Sequence, residues 1–117
     1  MTVSANHADT VEYYRKFCIQ TAPRNKSIYL LHEKCTHLLI RARGYRDKRR
    51  ELLDRAQNIL AQFQASLIEG DLVSDGLFFV YDYCYALLDN NDDESIRNAL
   101  ALLSPLKNTF FALLKHR

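Results

Sequence analysis

Residues 77–88 read LFFVYDYCYALL, a run in which one acid, Asp82, stands among apolar and aromatic residues. Aromatic and β-branched residues favour strands, so a strand has to be considered first. A strand here would leave its backbone amides and carbonyls unpaired, because the chain has no second strand-like run to pair with it. The run is also shorter than the roughly 18 apolar residues that a membrane helix needs. We therefore predict a helix that is part of a folded protein.

A helix gives Asp82 a definite place. At about 100° per residue, Asp75, Asp82 and Asp89 fall on one line and form a narrow polar stripe with Ala86. Rings and aliphatic side chains flank this stripe, Phe78, Tyr81, Tyr85 and Leu88 on one side and Phe79, Tyr83 and Leu87 on the other, with Val80 and Cys84 opposite. Apolar surface thus covers more of the helix than a place in a bundle requires. The spare face is covered either by the N-terminal segment or by a partner, and both interpretations hold if that segment is a removable lid.

The rest of the chain also has helical periodicity, and its few glycines and prolines separate the helices. We predict helices over residues 9–20, 23–43, about 47–67, 71–88 and from 91 onward. Pro23 is expected to start the second helix, Asp47 to cap the third, and Asn91 and Glu94 to form a capping box. Pro105 predicts a kink or a break in the last helix. The expected fold is all-α: an antiparallel up-down four-helix bundle with an additional short N-terminal helix, in one domain over 1–117.

Composition restricts the classes of function. The chain has 117 residues, 48 % hydrophobic and 26 % charged, which is typical of one globular domain. Three widely spaced cysteines, with no C-x-x-C pair, predict neither a disulfide framework nor a zinc ribbon. The N-terminus has no basic segment followed by an apolar run. We therefore expect a cytoplasmic protein without membrane insertion.

No arrangement in the sequence predicts catalysis. His32 with Cys35, and Glu33 with His37, have spacings that suit a metal on a helix, but no third or fourth ligand accompanies them. Partly exposed helix positions are therefore the expected interpretation. There is no glycine-rich phosphate loop and no nucleophile with a matching base. We expect no enzyme, no cofactor, no metal and no small-molecule substrate.

The segment 41–55 has seven basic residues, Arg41, Arg43, Arg46, Lys48, Arg49, Arg50 and Arg55, interleaved with Tyr45. One interpretation is a solvated turn whose charges are balanced by Asp47, Glu51 and Asp54. The alternative is a basic helical regulator that binds nucleic acid or an acidic protein partner. The small net charge of +2 favours the turn and predicts no nucleic-acid partner.

The order of motifs resembles the FliS family of flagellar secretion chaperones, from about residue 13 to 111. LLDRAQNILAQFQASL at 52–67 is similar to the family's A-Q-x-I-I-x-x-L-x-x-x-L helix, and VYDYCYALL at 80–88 is similar to its L-Y-D-Y-M signature. VEYYRKF at 11–17, followed by TAPRNKSIYLLHEKC, is similar to the tyrosine, T-A-S-P segment and apolar helix of the family.

The resemblance implies a bundle that binds the C-terminal region of flagellin as helices in hydrophobic grooves, prevents its premature polymerisation and delivers it to the flagellar export gate. Residues 1–20 would be the mobile lid, with Tyr13, Tyr14 and Phe17 on its apolar side. The groove is expected to be lined by Ile28, Leu31, Cys35, Ala56, Ile59, Phe63, Phe78, Tyr81, Tyr83 and Tyr85. Whether the row through Tyr81 or the row through Tyr83 faces the cargo stays open at this stage.

Overall fold

The computed structural model describes residues 7–67 and 71–115, with side chains described from residue 26 onward. It contains four α-helices: α1 (His7–Gly44), α2 (Arg49–Ser66), α3 (Leu72–Leu88) and α4 (Asp93–Lys115). A 3-10 turn, Arg46–Lys48, precedes α2. No strand occurs in the two described ranges, so the helical interpretation of residues 77–88 is confirmed.

The helices form a ring in which each packs against two others. α1 contacts α2 and α4, and α3 closes the ring by packing against α2 and α4. Short connections between successive helices make neighbours antiparallel, so the predicted four-helix bundle is confirmed. Apolar side chains from all four helices fill the centre, the fully enclosed ones including Leu39, Leu53, Leu60, Cys84, Leu88, Ile96 and Leu103.

The predicted separate N-terminal helix is not confirmed. α1 runs without interruption from His7 to Gly44, across the Thr21–Pro23 segment that was expected to break it. Pro23 lacks an amide hydrogen and so removes one backbone hydrogen bond, but its fixed φ is compatible with helical geometry. In a helix of 38 residues, the loss of one such bond leaves the turns on both sides continuous.

The helix ends agree with the sequence in two places and differ in two. Gly44 is the last residue of α1, and the Asp71 side chain caps α3 by accepting a hydrogen bond from the Val73 amide at 3.2 Å. Asp47 lies within the 3-10 turn and does not cap α2, whose preceding residue, Lys48, makes no capping hydrogen bond. The prediction that Asp47 caps α2 was wrong, because Asp47 lies in the 3-10 turn and α2 begins only at Arg49.

At the start of α4, the cap is one residue later than predicted. The Ser95 amide donates to Asp92 Oδ1 at 2.8 Å, so Asp92 and not Asn91 satisfies the helix terminus. Asn91 has a φ of 55°, in the left-handed region that asparagine tolerates better than most residues, and thereby reverses the chain after α3. The Asn91–Glu94 capping box is therefore wrong.

Pro105 lies inside α4, which is continuous from Asp93 to Lys115, so of the two predicted outcomes the break into two helices is wrong, and the kink stays a prediction. Both Pro105 and Ala101, whose carbonyl loses the amide partner at position 105, are exposed and accessible to water. Thr109 Oγ1 donates to the Pro105 carbonyl at 2.9 Å.

Within the described ranges, no helix has both the length and the hydropathy needed to span a membrane.

Candidate interaction surface on the third helix

α3 has one buried face and one exposed face that is unusually apolar. Ser74, Tyr81, Cys84 and Leu88 point into the core. Large apolar side chains on the opposite side remain accessible, with Phe79 71 % and Tyr83 49 % exposed. We call this surface the α3 outer face, and its members are Leu72, Phe78, Phe79, Tyr83 and Tyr85. Five of the ten large hydrophobic residues exposed in the described part of the chain thus belong to a single helix.

The structure divides the row through Tyr81, because Tyr81 points into the core while Phe78 and Tyr85 of the same row are exposed. Tyr81 is 2 % exposed and belongs to the core, whereas Tyr83, in the other row, faces outward. The predicted acidic stripe is confirmed as solvent-accessible, since Asp75, Asp82 and Asp89 are all exposed. The surface that α3 offers to another molecule therefore includes the acidic stripe and exposed rings on both of its sides, Phe78 and Tyr85 on one and Phe79 and Tyr83 on the other.

Beneath this face, an aromatic cluster takes one ring from each helix: His32 (α1), Phe63 (α2), Tyr81 (α3) and Phe110 (α4). The His32 ring stacks on Phe63 and Phe110, with centroids 4.1 Å and 5.0 Å away. His32 Nδ1 lies 2.9 Å from the Ile28 carbonyl oxygen, and His32 Nε2 lies 2.9 Å from the Tyr81 hydroxyl. Because a carbonyl can only accept, Nδ1 carries the proton and Tyr81 donates to Nε2. Both ring nitrogens are thereby satisfied inside the core.

Burial fixes the protonation states in the core. His32 is fully buried, and desolvation lowers its pKa from 6.5 to about 4, although the hydrogen bond to Ile28 acts in the opposite direction. Desolvation raises the pKa of the Cys35 and Cys84 thiols to about 12, and Cys35 Sγ donates weakly to the Ala56 carbonyl. His32 is therefore neutral at pH 7, and neither thiol is a nucleophile.

His32 and Cys35 were expected at partly exposed positions, and that expectation was wrong. Both residues lie on the apolar face of α1, which packs into the core. A histidine buried there needs a hydrogen-bond partner, because water cannot reach it. Tyr81 supplies that partner from 49 positions further along the chain. Glu33 and His37, in contrast, are exposed. Among the described residues, no group of three or more His, Cys, Asp or Glu side chains is placed to hold a metal ion.

The residues predicted to line the groove do not form one continuous surface. Cys35, Ala56, Ile59, Phe63 and Tyr81 are buried in the core. Ile28 and Leu31 are partly buried and pack against it. Phe78, Tyr83 and Tyr85 are exposed on the α3 outer face. The side chains of Tyr13, Tyr14 and Phe17 lie outside the described residues.

Sequence reasoning did not select Phe79, the most exposed of the large hydrophobic residues described, nor Leu72. The helical projection already placed Phe79 in the same row as Tyr83, on the side of the acidic stripe away from Tyr81. That position was the signal, but the sequence alone did not indicate which row faced the core. The burial of Tyr81, Cys84 and Leu88 in the bundle shows which side of α3 faces the core.

Three basic residues of the segment 41–55, Arg43, Arg49 and Arg50, make contacts that join helix ends. Arg49 Nε donates to the Ala42 carbonyl at 2.9 Å, near the end of α1, and Arg50 Nη1 donates to the Leu88 carbonyl at 3.0 Å, at the end of α3. Arg43 pairs with Asp93 at 2.8 Å, and Arg50 also pairs with Asp54. Cations near helix C-termini are stabilising, so these arginines have a structural role. This arrangement favours the balanced turn over a nucleic-acid surface.

A family model described as "Flagellar protein FliS" matches residues 6–117. The match includes all four helices and both segments, 52–67 and 80–88, whose motifs carried the resemblance. Neither a curated protein nor a solved structure shows significant similarity to the chain.

Proposed function

Because the chain belongs to the FliS family of flagellar export chaperones, we propose that it binds the C-terminal segment of flagellin on the α3 outer face. On this proposal, the protein acts in the cytoplasm, keeps that segment from polymerising and delivers it to the flagellar export gate. The protein has no catalytic activity of its own. Residues 1–20 act as a lid that is displaced when the cargo binds, which requires their first turns to leave the continuous α1 helix, in which the α3 outer face is exposed.

One observation supports this function most strongly: five large apolar side chains are exposed along the 17 residues of α3. An amphipathic helix can bury its apolar side on such a surface, and apolar burial is the main favourable term in this mode of recognition. A cargo segment that is disordered when free loses conformational entropy on binding. A broad apolar surface is needed to offset that loss, whereas a few polar contacts would not be sufficient.

The chemistry of the core also supports binding rather than catalysis. The most perturbed groups of the described chain, His32, Cys35 and Cys84, are enclosed in the bundle. Each is held in its neutral form by burial, and no substrate could reach it without opening the core. The predicted groove residues that lie in the core, such as Phe63 and Tyr81, therefore contribute to binding by positioning α3.

Co-purification of the chain with flagellin tests the proposal. Full-length flagellin should be retained, and flagellin without its C-terminal helix should be lost. The complex should also persist at high salt, because apolar burial is not screened by ions. Equal recovery of both flagellin forms, or of neither, would show that the proposal is wrong.

A surface variant identifies the binding face. Phe79→Ser removes the most exposed ring with little effect on folding, because its side chain is 71 % exposed. It should weaken flagellin binding by about tenfold, the effect of losing roughly 1.4 kcal/mol of burial. Leu30→Ser is the matched control, since Leu30 is 47 % exposed on α1, a helix that packs mainly against α2 and α4. Equal weakening by both variants would contradict the assignment of the α3 outer face.

A further inference from the structure

The α3 outer face has charge of only one sign. Asp75, Asp82 and Asp89 are exposed along it, and the α3 sequence LVSDGLFFVYDYCYALL contains no lysine or arginine. Residues seven apart in a helix are separated by about 10.5 Å along the axis and by only about 20° around it. The three carboxylates therefore form a nearly straight line between the rings of Phe78 and Tyr85 on one side and those of Phe79 and Tyr83 on the other.

Among the described residues, none of these three carboxylates makes an ion pair; the Arg50 guanidinium reaches the Asp89 end only as far as Gln57 Oε1, at 2.6 Å, and the Leu88 carbonyl, at 3.0 Å. Asp82 Oδ1 accepts from Gln64 Nε2 at 3.4 Å, and Asp89 Oδ1 accepts from Gln57 Nε2 at 2.8 Å. Both donors are neutral amides. The ion pairs of the described residues use Asp54 and Asp93 instead. A partner that covers the rings would therefore also cover a row of negative charges.

We propose that the α3 outer face selects an amphipathic helix with lysine or arginine at seven-residue spacing within its apolar side. This inference rests on the proposed function and adds to it the charge of the cargo segment. An apolar helix without those cations would desolvate the carboxylates and give them no partner, which is costly. Lysine and arginine also have long apolar stems that pack against rings, and their cationic groups are attracted to the faces of Phe and Tyr.

Two synthetic probe peptides of about 20 residues test the charge preference. They share one leucine pattern and differ only in having lysines or glutamates at three positions seven apart. The lysine probe should bind at least about tenfold more tightly, as measured by fluorescence anisotropy, because one probe pairs with the carboxylates and the other is repelled. The difference should shrink at high salt. Equal affinity of the two probes would overturn the inference.

Charge-reversal variants of the protein show which carboxylates cause the preference for the lysine probe. Asp82→Lys should weaken binding of the lysine probe and strengthen binding of the glutamate probe. Asp47→Lys makes the same change in net charge on the 3-10 turn, where Asp47 is exposed, and should leave the preference unchanged. An equal response to both variants would mean that net charge alone sets the preference, which would overturn the inference. The inference would also be overturned if the chain self-associates and Asp82→Lys abolishes this self-association, because a second copy of the chain would then occupy the α3 outer face.

Measuring flagellin binding by the wild-type chain and by Asp82→Lys distinguishes a failure of this inference from a failure of the proposed function. Equal retention of flagellin by the wild-type chain and by Asp82→Lys would overturn the charge preference and leave the chaperone function intact. A charge preference that shrinks in Asp82→Lys, together with no binding of flagellin by either protein, would support the inference and show that the proposed cargo is wrong.

Discussion

Acid should destabilise this protein through one residue, His32. The ring is completely buried, is stacked on Phe63 and Phe110, and is neutral because desolvation lowers its pKa to about 4. In the unfolded chain the same ring has a pKa near 6.5. Between these two values the unfolded state binds more protons than the folded state, so the free energy of unfolding falls as the pH falls.

The size of the effect follows from the same two pKa values. Its full extent, reached below the folded pKa, is on the order of 3 kcal/mol. At pH 5, where most unfolded chains are protonated and most folded ones are not, the loss relative to pH 7.5 is about 2 kcal/mol. That is a large part of the 5–15 kcal/mol typical of whole domains.

Urea unfolding followed by circular dichroism at pH 7.5, 6 and 5 measures this loss. The wild-type chain should lose about 2 kcal/mol over the range. His32→Gln should be less stable at every pH and should lose much less between pH 7.5 and 5, because it removes the titrating group. His37→Gln is the matched control, since His37 lies on the same helix and is exposed. If His32→Gln keeps the pH dependence of the wild type, the reasoning from burial is refuted.

Three further perturbations test the same structure. Tyr81→Phe leaves His32 Nε2 without its donor and should cost about 1–3 kcal/mol in urea unfolding, whereas Tyr85→Phe, on the exposed face, should be close to neutral. Gln57→Leu removes the buried amide that donates to the Tyr85 carbonyl and to Asp89, and should cost a similar amount; Gln62→Leu, at an exposed site, should not. Deletion of residues 1–20 should leave flagellin affinity unchanged or raise it in a titration, and a lower affinity would show that this segment is a contact and not a lid.

The sequence predicted the fold because helical periodicity depends on local residue order. Each described helix except the long α1 agrees with a predicted one to within a few residues, and α1 ends at Gly44 and α3 begins at Leu72, next to the predicted bounds at 43 and 71. The misses occur where two local signals competed. At the start of α4, both Asn91 and Asp92 are good capping residues, and only the left-handed backbone at Asn91 decides between them.

The candidate site was harder to predict than the fold, because a helical projection gives positions around an axis but not the direction of the core. Phe63 and Tyr81 fit a groove as well as they fit a core until the neighbouring helices are in place. His32 shows the same limit more clearly. Its partner Tyr81 is remote in sequence, so no local pattern could indicate that a histidine among leucines would be fully buried and satisfied.

The buried contacts of α3 and its exposed apolar face are physically connected. The tyrosine hydroxyl that satisfies His32 ties α3 to α1 from inside, while its neighbours Tyr83 and Phe79 remain on the outside. A helix that exposes this much apolar surface gains less from burial than an ordinary bundle helix, and so needs other contacts to keep it in register. The buried hydrogen bond to His32, the Gln57 contacts and the Arg50 contact to the Leu88 carbonyl supply such contacts along one helix. Polar groups within the bundle thus allow α3 to keep its rings available to a partner.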